Sequence, residues 1–263
     1  MDPFLSLVIP AYNEASRLPR AMMALGKFAR EYGRTLEVII VVEPSSDGTL
    51  EIAGKLAAQQ AESANCFEIV GNREHRGKGF AVRTGMLRAR GEIVFYMDAD
   101  LSVPLAEVNA FLEYFEGHPE IDALAGNRQH PEARITLAQS WFRRSMGQTF
   151  NRLLGLLALT EIRDTQCGFK AFRREVAREI FQRQRLDGFA FDVEVLALAQ
   201  KLGFKAVDRP VEWINSPESK VHIVRDSARM ALDALRVRRM VAQAAPLPRL
   251  NDEPYKPTGS QFQ

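Results

Sequence analysis

The chain has 263 residues, a formal net charge of +2, 46% hydrophobic residues and 26% charged residues. This length suits one large domain with an ample core, and the near-balanced charge excludes the global basic field with which nucleic-acid-binding proteins gather phosphates. The two cysteines, Cys66 and Cys167, stand far apart without CxxC spacing, which argues against a disulfide scaffold or zinc knuckle and fits a reducing, cytoplasmic setting.

Short apolar runs alternate with helical patterns through the first half. Strands are expected over 5–9, 37–42, 67–70, 93–97 and 123–125, with helices over 15–32, 49–61, 78–89 and 104–116. This βαβα order predicts an α/β fold with a mostly parallel sheet flanked by helices. The run Ile93-Val94-Phe95-Tyr96-Met97 is apolar without alternation, as in a central strand buried on both faces. Pro10 is expected to end ladder pairing of the first strand. Thr49 is expected to cap the second helix, and Ser102 with Pro104 to open the fourth.

Beyond residue 130 the pattern turns to longer helices over 136–160, 173–184, 190–202 and 221–242, with one strand over 206–213. Gly203 is placed to close the helix over 190–202 in a left-handed cap. From residue 244 the chain is Pro-rich and polar, and 244–263 is expected to be a disordered tail. There is no internal repeat, no signal-peptide pattern at the start and no run of about 18 uncharged apolar residues that would span a membrane.

Three polar clusters follow strands. Asp98-Ala99-Asp100 follows the central strand, where open α/β sheets bind ligands. Two carboxylates two residues apart in extended chain project to one side, roughly 7 Å apart at their Cα atoms. Hard divalent cations take oxygen ligands together with substrate phosphates, so Mg2+ or Mn2+ held there would neutralise a diphosphate leaving group. Asn13-Glu14 follows the first strand, although a strand exit and helix cap account equally for Asn13. Glu43 to Thr49 follows the second, where Glu43 can accept from a ribose or base edge and Asp47-Gly48 is a turn or a ligand site. The four histidines, His75, His118, His130 and His222, do not cluster and are expected on surface loops.

Taken together, the segments Val8 to Glu14, Ser45 to Thr49, Arg76-Gly77-Lys78-Gly79 and Asp98-Ala99-Asp100 resemble family 2 glycosyltransferases of the GT-A fold. The block Arg163 to Lys170, then Phe189 to Glu194, with Arg76–Arg83 and Gly126-Asn127-Arg128, is similar to the dolichyl-phosphate β-glucosyltransferase branch. Related dolichyl-phosphate mannosyltransferases share the layout but match this block less closely. The resemblance covers roughly residues 4–240. It implies a single GT-A (Rossmann-like) domain over 1–243 with a helical C-terminal part, in which 1–128 binds the nucleotide sugar and 129–243 the acceptor.

The resemblance implies that Pro10, Tyr12, Glu14 and Glu43 hold the nucleoside, that Lys78 joins the donor site, that Asp98 and Asp100 engage metal and diphosphate, and that Lys220 lies over the diphosphate. Family members usually carry Asp where this chain has Glu43. Some mannosyltransferase relatives place a Gln metal ligand where this chain has Ser102. Arg128 and Arg143 match positions that the family uses for an acceptor phosphate. The implied reaction is inverting transfer of a hexose, glucose from UDP-glucose, to a polyprenyl phosphate, with an alcohol acceptor or GDP-mannose as the alternative.

A phosphate monoester, with a second pKa near ~6, is largely dianionic at neutral pH and needs positive charge rather than a base. An alcohol acceptor needs a base, which Asp164, Asp192 or Glu194 can supply. Asp192 and Glu194 also suit the first turn of a helix, and Asp164 suits a turn. The aromatic, basic and leucine-rich stretch 141–157 fits either an interfacial helix at the cytoplasmic face of a membrane or a core helix.

Overall fold

The computed structural model describes residues 2–60, 67–136, 160–214 and 236–243. The expected helix over 136–160 except its two end residues, the part of the expected helix over 221–242 that precedes 236, the tail from 244, Arg143 and Lys220 lie outside these residues; 236–242 are helical as expected. Strands β1 (Leu5–Ala11), β2 (Leu36–Val42), β3 (Phe67–Gly71) and β4 (Ile93–Met97) alternate with helices α1 (Leu18–Glu31), α2 (Thr49–Gln60) and α3 (Lys78–Arg88). After β4 come α4 (Ala106–Gly117), β5 (Ala123–Asn127), β6 (Arg134–Ile135), β7 (Phe169–Arg173), α5 (Arg174–Arg183), α6 (Phe191–Lys201), β8 (Ala206–Pro210) and β9 (Glu212–Trp213).

Seven strands form one sheet in the order β3-β2-β1-β4-β7-β5-β8, while β6 and β9 pair separately. All neighbours in the large sheet are parallel except β7, which runs antiparallel to both β4 and β5. The expected mostly parallel sheet is present, but the sequence reading had no strand at 169–173. The expected single strand over 206–213 is two strands, β8 and β9, in different sheets.

Alternate residues of the central strands face opposite cores. Val8, Val41, Val94 and Tyr96 pack beneath α3, α5 and α6. Leu7, Ile9, Ile40, Phe95 and Met97 pack beneath α1 and α4. The unalternating hydrophobicity of β4 follows directly, since both faces of the strand are covered. Pro10 does not end β1 as expected. It pairs in register with Val41, and Ala11 continues to Val42. The β4 neighbour reaches only to Val8, so on that side the missing proline N–H has no ladder to interrupt.

Helix α6 closes as expected: Gly203 has φ +83°, its N–H donates to the Gln200 carbonyl, and the Phe204 N–H donates to the Ala199 carbonyl. This is the paired closure that a left-handed residue permits. Two expected openings differ. Thr49 is itself the first residue of α2, and Asp47 accepts its N–H at 3.1 Å. Helix α4 begins at Ala106, while the Ser102 hydroxyl donates back to Asp100.

Candidate active site

With β7 alone reversed, the carboxyl ends of β1, β2, β4 and β5 and the segment that enters β7 reach the same sheet edge. This edge collects nearly every described residue that the sequence marked.

On the β1–β2 side the loops clasp each other. Asn13, held at φ +52°, accepts the Ser46 N–H at 2.9 Å. The Ala15 N–H donates to Asp47 at 3.0 Å and the Glu14 N–H to the Thr49 hydroxyl at 2.8 Å. Asn13 and Asp47 therefore clasp the two adjacent turns, in line with the structural reading of both. The Glu14 carboxylate takes the Arg17 guanidinium, with Nε at 2.6 Å.

Glu43, 2% exposed, gathers the loop that enters α3. It accepts from Asn72 Nδ2 at 3.0 Å, from the backbone N–H groups of Arg76 and Gly77 at 2.9 Å each, and lies 2.7 Å from His75 Nδ1. The imidazole stacks on Tyr12, with ring centroids 4.1 Å apart. His75 lies on an exposed loop, as expected, and there it joins two of the expected nucleoside residues. Sequence spacing gave no sign of this, because the three residues come from three different loops.

At the end of β4, Asp98 Oδ1 meets Lys78 Nζ at 2.7 Å while its side chain stays 41% exposed. A Cβ built on Gly168 would stand 2.1 Å from Asp98 Oδ2, so any larger residue in the chain entering β7 would displace this carboxylate from its present position. Burial works against the Lys78 charge, but Asp98 and then Asp192 outweigh it and hold the ammonium above the ordinary lysine range. Asp100 Oδ1 accepts from the Ser102 N–H at 2.9 Å and hydroxyl at 2.6 Å; its other oxygen has no partner among the described residues.

On the β5–β7 side, Arg128 and Asp164 form a fork. The Arg128 backbone N–H, Nε and Nη2 reach the two Asp164 oxygens at 3.0, 2.7 and 2.9 Å. Trp213 lies beside the guanidinium at 5.8 Å. Asp164 is 1% exposed. Burial alone would raise its pKa, but Arg128 holds the carboxyl below the usual range.

Beneath this layer Asp192 stands in the first turn of α6, as expected, but it is buried rather than solvated. Its Oδ1 accepts from Lys170 Nζ at 2.5 Å and from the Tyr96 hydroxyl at 2.6 Å, and Lys170 is wholly buried. Glu194 is buried as well and accepts the backbone N–H groups of Arg185 and Leu186 at 2.8 Å each. Lys170 was missed at the sequence level. Apart from closing the block Arg163 to Lys170, its signal is a lysine inside the apolar run Phe169-Lys170-Ala171-Phe172; the ladder sets it opposite Tyr96.

The acidic pair suits a hard cation. No group of three or more His, Cys, Asp or Glu side chains converges into a closed cage among the described residues. Mg2+ and Mn2+ do not need one, because they take one or two carboxylates and fill the remaining positions with phosphate oxygens and water. Gly168 keeps the Asp98 carboxylate space clear, and Asp100 has one oxygen without a partner among the described residues.

An open sheet of this order, with one reversed strand beside β4 and an acidic pair at the end of β4, is the GT-A type of α/β architecture. Solved structures agree on the fold. The chain aligns with mannosyl-3-phosphoglycerate synthase from Rubrobacter xylanophilus at TM-score 0.65 and 20% identity, over 94% of this chain and 77% of that one. It aligns with the mannosyltransferase PcManGT from Pyrobaculum calidifontis, in complex with GDP-Man and Mn2+, at TM-score 0.59 and 20% identity, over 94% and 66%.

The sequence profile of Glycosyl transferase family 2 matches residues 6–181, and the chain belongs to that family. Among its relatives, the dolichyl-phosphate beta-glucosyltransferase of Drosophila melanogaster is 36% identical, over 82% of this chain and 69% of the relative. The human protein of the same name is 34% identical, over 89% and 74%.

Proposed function

We propose that the chain transfers glucose from UDP-glucose to a polyprenyl phosphate, with inversion. The observation that carries this reading is the meeting, at one sheet edge, of a cation-ready acidic pair and a preformed arginine fork, in a chain similar to dolichyl-phosphate beta-glucosyltransferases over most of its length.

In this reading residues 1–128 form the donor half. The Tyr12–His75 stack and the Glu14 and Pro10 turn receive the nucleoside, while Glu43 sets the loop that carries Lys78. Asp98 and Asp100 hold Mg2+ or Mn2+, which supplies charge neutralisation for the departing diphosphate; relatives of this fold crystallised with Mn2+ support that choice. Lys78 stands beside Asp98 as a second cation for the same phosphates. Residues 129–243 form most of the acceptor half, to which β5 contributes Arg128. With Asp164 occupying part of its fork, Arg128 presents its remaining N–H groups to an acceptor phosphate, a geometry Arg matches better than Lys. Arg143 and Lys220 are assigned to acceptor and donor phosphates on family resemblance.

No helix among the described residues is long and apolar enough to cross a membrane, and we assign the chain to the cytoplasmic face as a peripheral protein. Positioning and electrostatics then do most of the catalytic work.

The test is a donor screen of UDP-glucose, UDP-GlcNAc and GDP-mannose against a short polyprenyl phosphate, with Mg2+ and with Mn2+. Glucosyl transfer from UDP-glucose is expected to dominate. Turnover with soluble alcohols and none with the lipid phosphate would overturn the acceptor assignment.

A further inference from the structure

Transfer to an alcohol or to water requires a base to take the O–H proton while the new bond forms; transfer to a dianionic phosphate does not. Three carboxylates near β7 and α6 are the candidate bases, and each spends oxygens on the protein itself. Asp164 is forked by Arg128. Both Glu194 oxygens hold backbone N–H groups. Asp192 Oδ1 takes Lys170 and Tyr96 together.

Asp192 differs from the other two. Its Oδ2 has no partner among the described residues. It also adjoins the donor side: Lys78 Nζ lies 2.7 Å from Asp98 and 5.9 Å from the Phe191 ring, one residue before Asp192. Lys170 links this carboxylate to the site from below, since it also donates to the Cys167 carbonyl at 2.7 Å. The next residue is Gly168, over which the Asp98 carboxylate lies. A fully buried ion pair gives little stability over apolar side chains of the same volume, so packing alone does not account for a lysine at this position.

We propose that Lys170 is a specificity-determining residue that silences Asp192, leaving the site without a base there and restricting it to acceptors that arrive already ionised. The proposal rests on the phosphate-acceptor reading above. In the permitted reaction an anionic phosphate oxygen forms the bond to the anomeric carbon. The bond from that carbon to the donor diphosphate breaks, and its electron pair leaves with UDP; no proton moves. With water or an alcohol the same exchange must also pass the O–H proton to a carboxylate. The pairing with Lys170 denies that step and so suppresses wasteful donor hydrolysis.

The test is Lys170→Met, with UDP release measured without acceptor and glucosyl transfer measured with a short polyprenyl phosphate. The ratio of hydrolysis to transfer is expected to rise by about tenfold or more, within the range that a positioned base supplies. Adding Asp192→Asn to Lys170→Met is expected to return the ratio to the wild-type level. A loss of stability alone moves both rates together and leaves the ratio fixed. An unchanged ratio in folded Lys170→Met, or a rise that persists in the double variant, overturns the proposal.

A second measurement needs no variant. The wild-type chain is expected to transfer to the unphosphorylated polyprenol at less than about a hundredth of its rate on the phosphate, and comparable rates overturn the proposal alone. A wild-type chain inactive on every phosphate acceptor overturns the parent reading as well, and this is seen before any substitution is made.

Discussion

The two sides of the sheet edge handle charge in opposite ways. On the donor side the acidic pair remains partly open: Asp98 is 41% exposed and touches one lysine, and Asp100 is steadied only by Ser102 among the described residues. On the acceptor side Asp164, Lys170 and Asp192 are all at most 3% exposed and closed into ion pairs. On the proposed function, the difference would follow from what each side receives. A nucleotide sugar arriving with a cation that completes the charge balance calls for accessible anionic oxygens. An acceptor phosphate arriving without one calls for a guanidinium already held in place, which a buried counter-ion does.

The sharpest way to break this comparison is at the open pair. Asp100→Ala is expected to reduce glucosyl transfer by about 10²–10³-fold, the scale on which removal of one electrostatic element at a reacting centre acts. The fold is expected to survive, because the described contacts of Asp100 are confined to Ser102 two residues away. Radiolabelled transfer measures the first expectation and circular dichroism the second. Full activity after exhaustive chelation, with no metal left in the protein, would remove the cation from the donor side altogether.

On the closed side the larger effect falls on stability. Arg128→Met leaves the buried Asp164 charge without its partner. Breaking such a pair costs about 3–5 kcal/mol, and a quarter-exposed Arg128 places the expected loss near ~3 kcal/mol. The sign of the pH dependence follows from the carboxylate. Asp164 titrates below its unfolded value of about 3.9, so its contribution is in force above that pH and is lost as pH falls through the folded pKa. The stability gap between wild type and Arg128→Met, read from urea midpoints, is expected to be widest near neutrality and to narrow below about pH 4. A gap that stays constant from neutrality into acid would mean that the fork contributes packing rather than charge.

The sequence exposed the open side more fully than the closed one, for physical reasons. Strand β4 is an uninterrupted apolar run followed by two acids, so its strand state, its central place and its chemistry are all local properties. Strand β7 is five residues long with a lysine at its second position, which no local rule marks as a buried strand. Its place between β4 and β5 is decided by pairing with segments far away in sequence. The same distance hid the functional pairings. Asp192 and Glu194 do stand in the first turn of α6 and Asp164 does open a turn, as expected, but nothing local showed that Lys170, the backbone of Arg185 and Leu186, and Arg128 pair with them. Charges could be found from sequence alone; which charge neutralises which could not.

Glu43 lies between the two regimes and offers the finest test. It belongs to the donor side, yet it is as buried as the acceptor-side acids, and its oxygens hold the backbone N–H groups of Arg76 and Gly77 ahead of α3. An anion at a helix start is favoured by the unpaired N–H groups and the helix dipole. Glu43→Gln removes that charge while keeping the shape. If the carboxylate serves mainly to set the loop, the expected loss is about 1 kcal/mol, seen as a melting temperature lower by about 2–4 °C. The donor KM would rise only about two- to threefold, because Lys78 and His75 shift with the loop. If the carboxylate instead binds the nucleoside directly, the balance inverts: melting hardly moves, and the KM for UDP-glucose rises by about tenfold or more, as when a hydrogen bond to a charged group is lost.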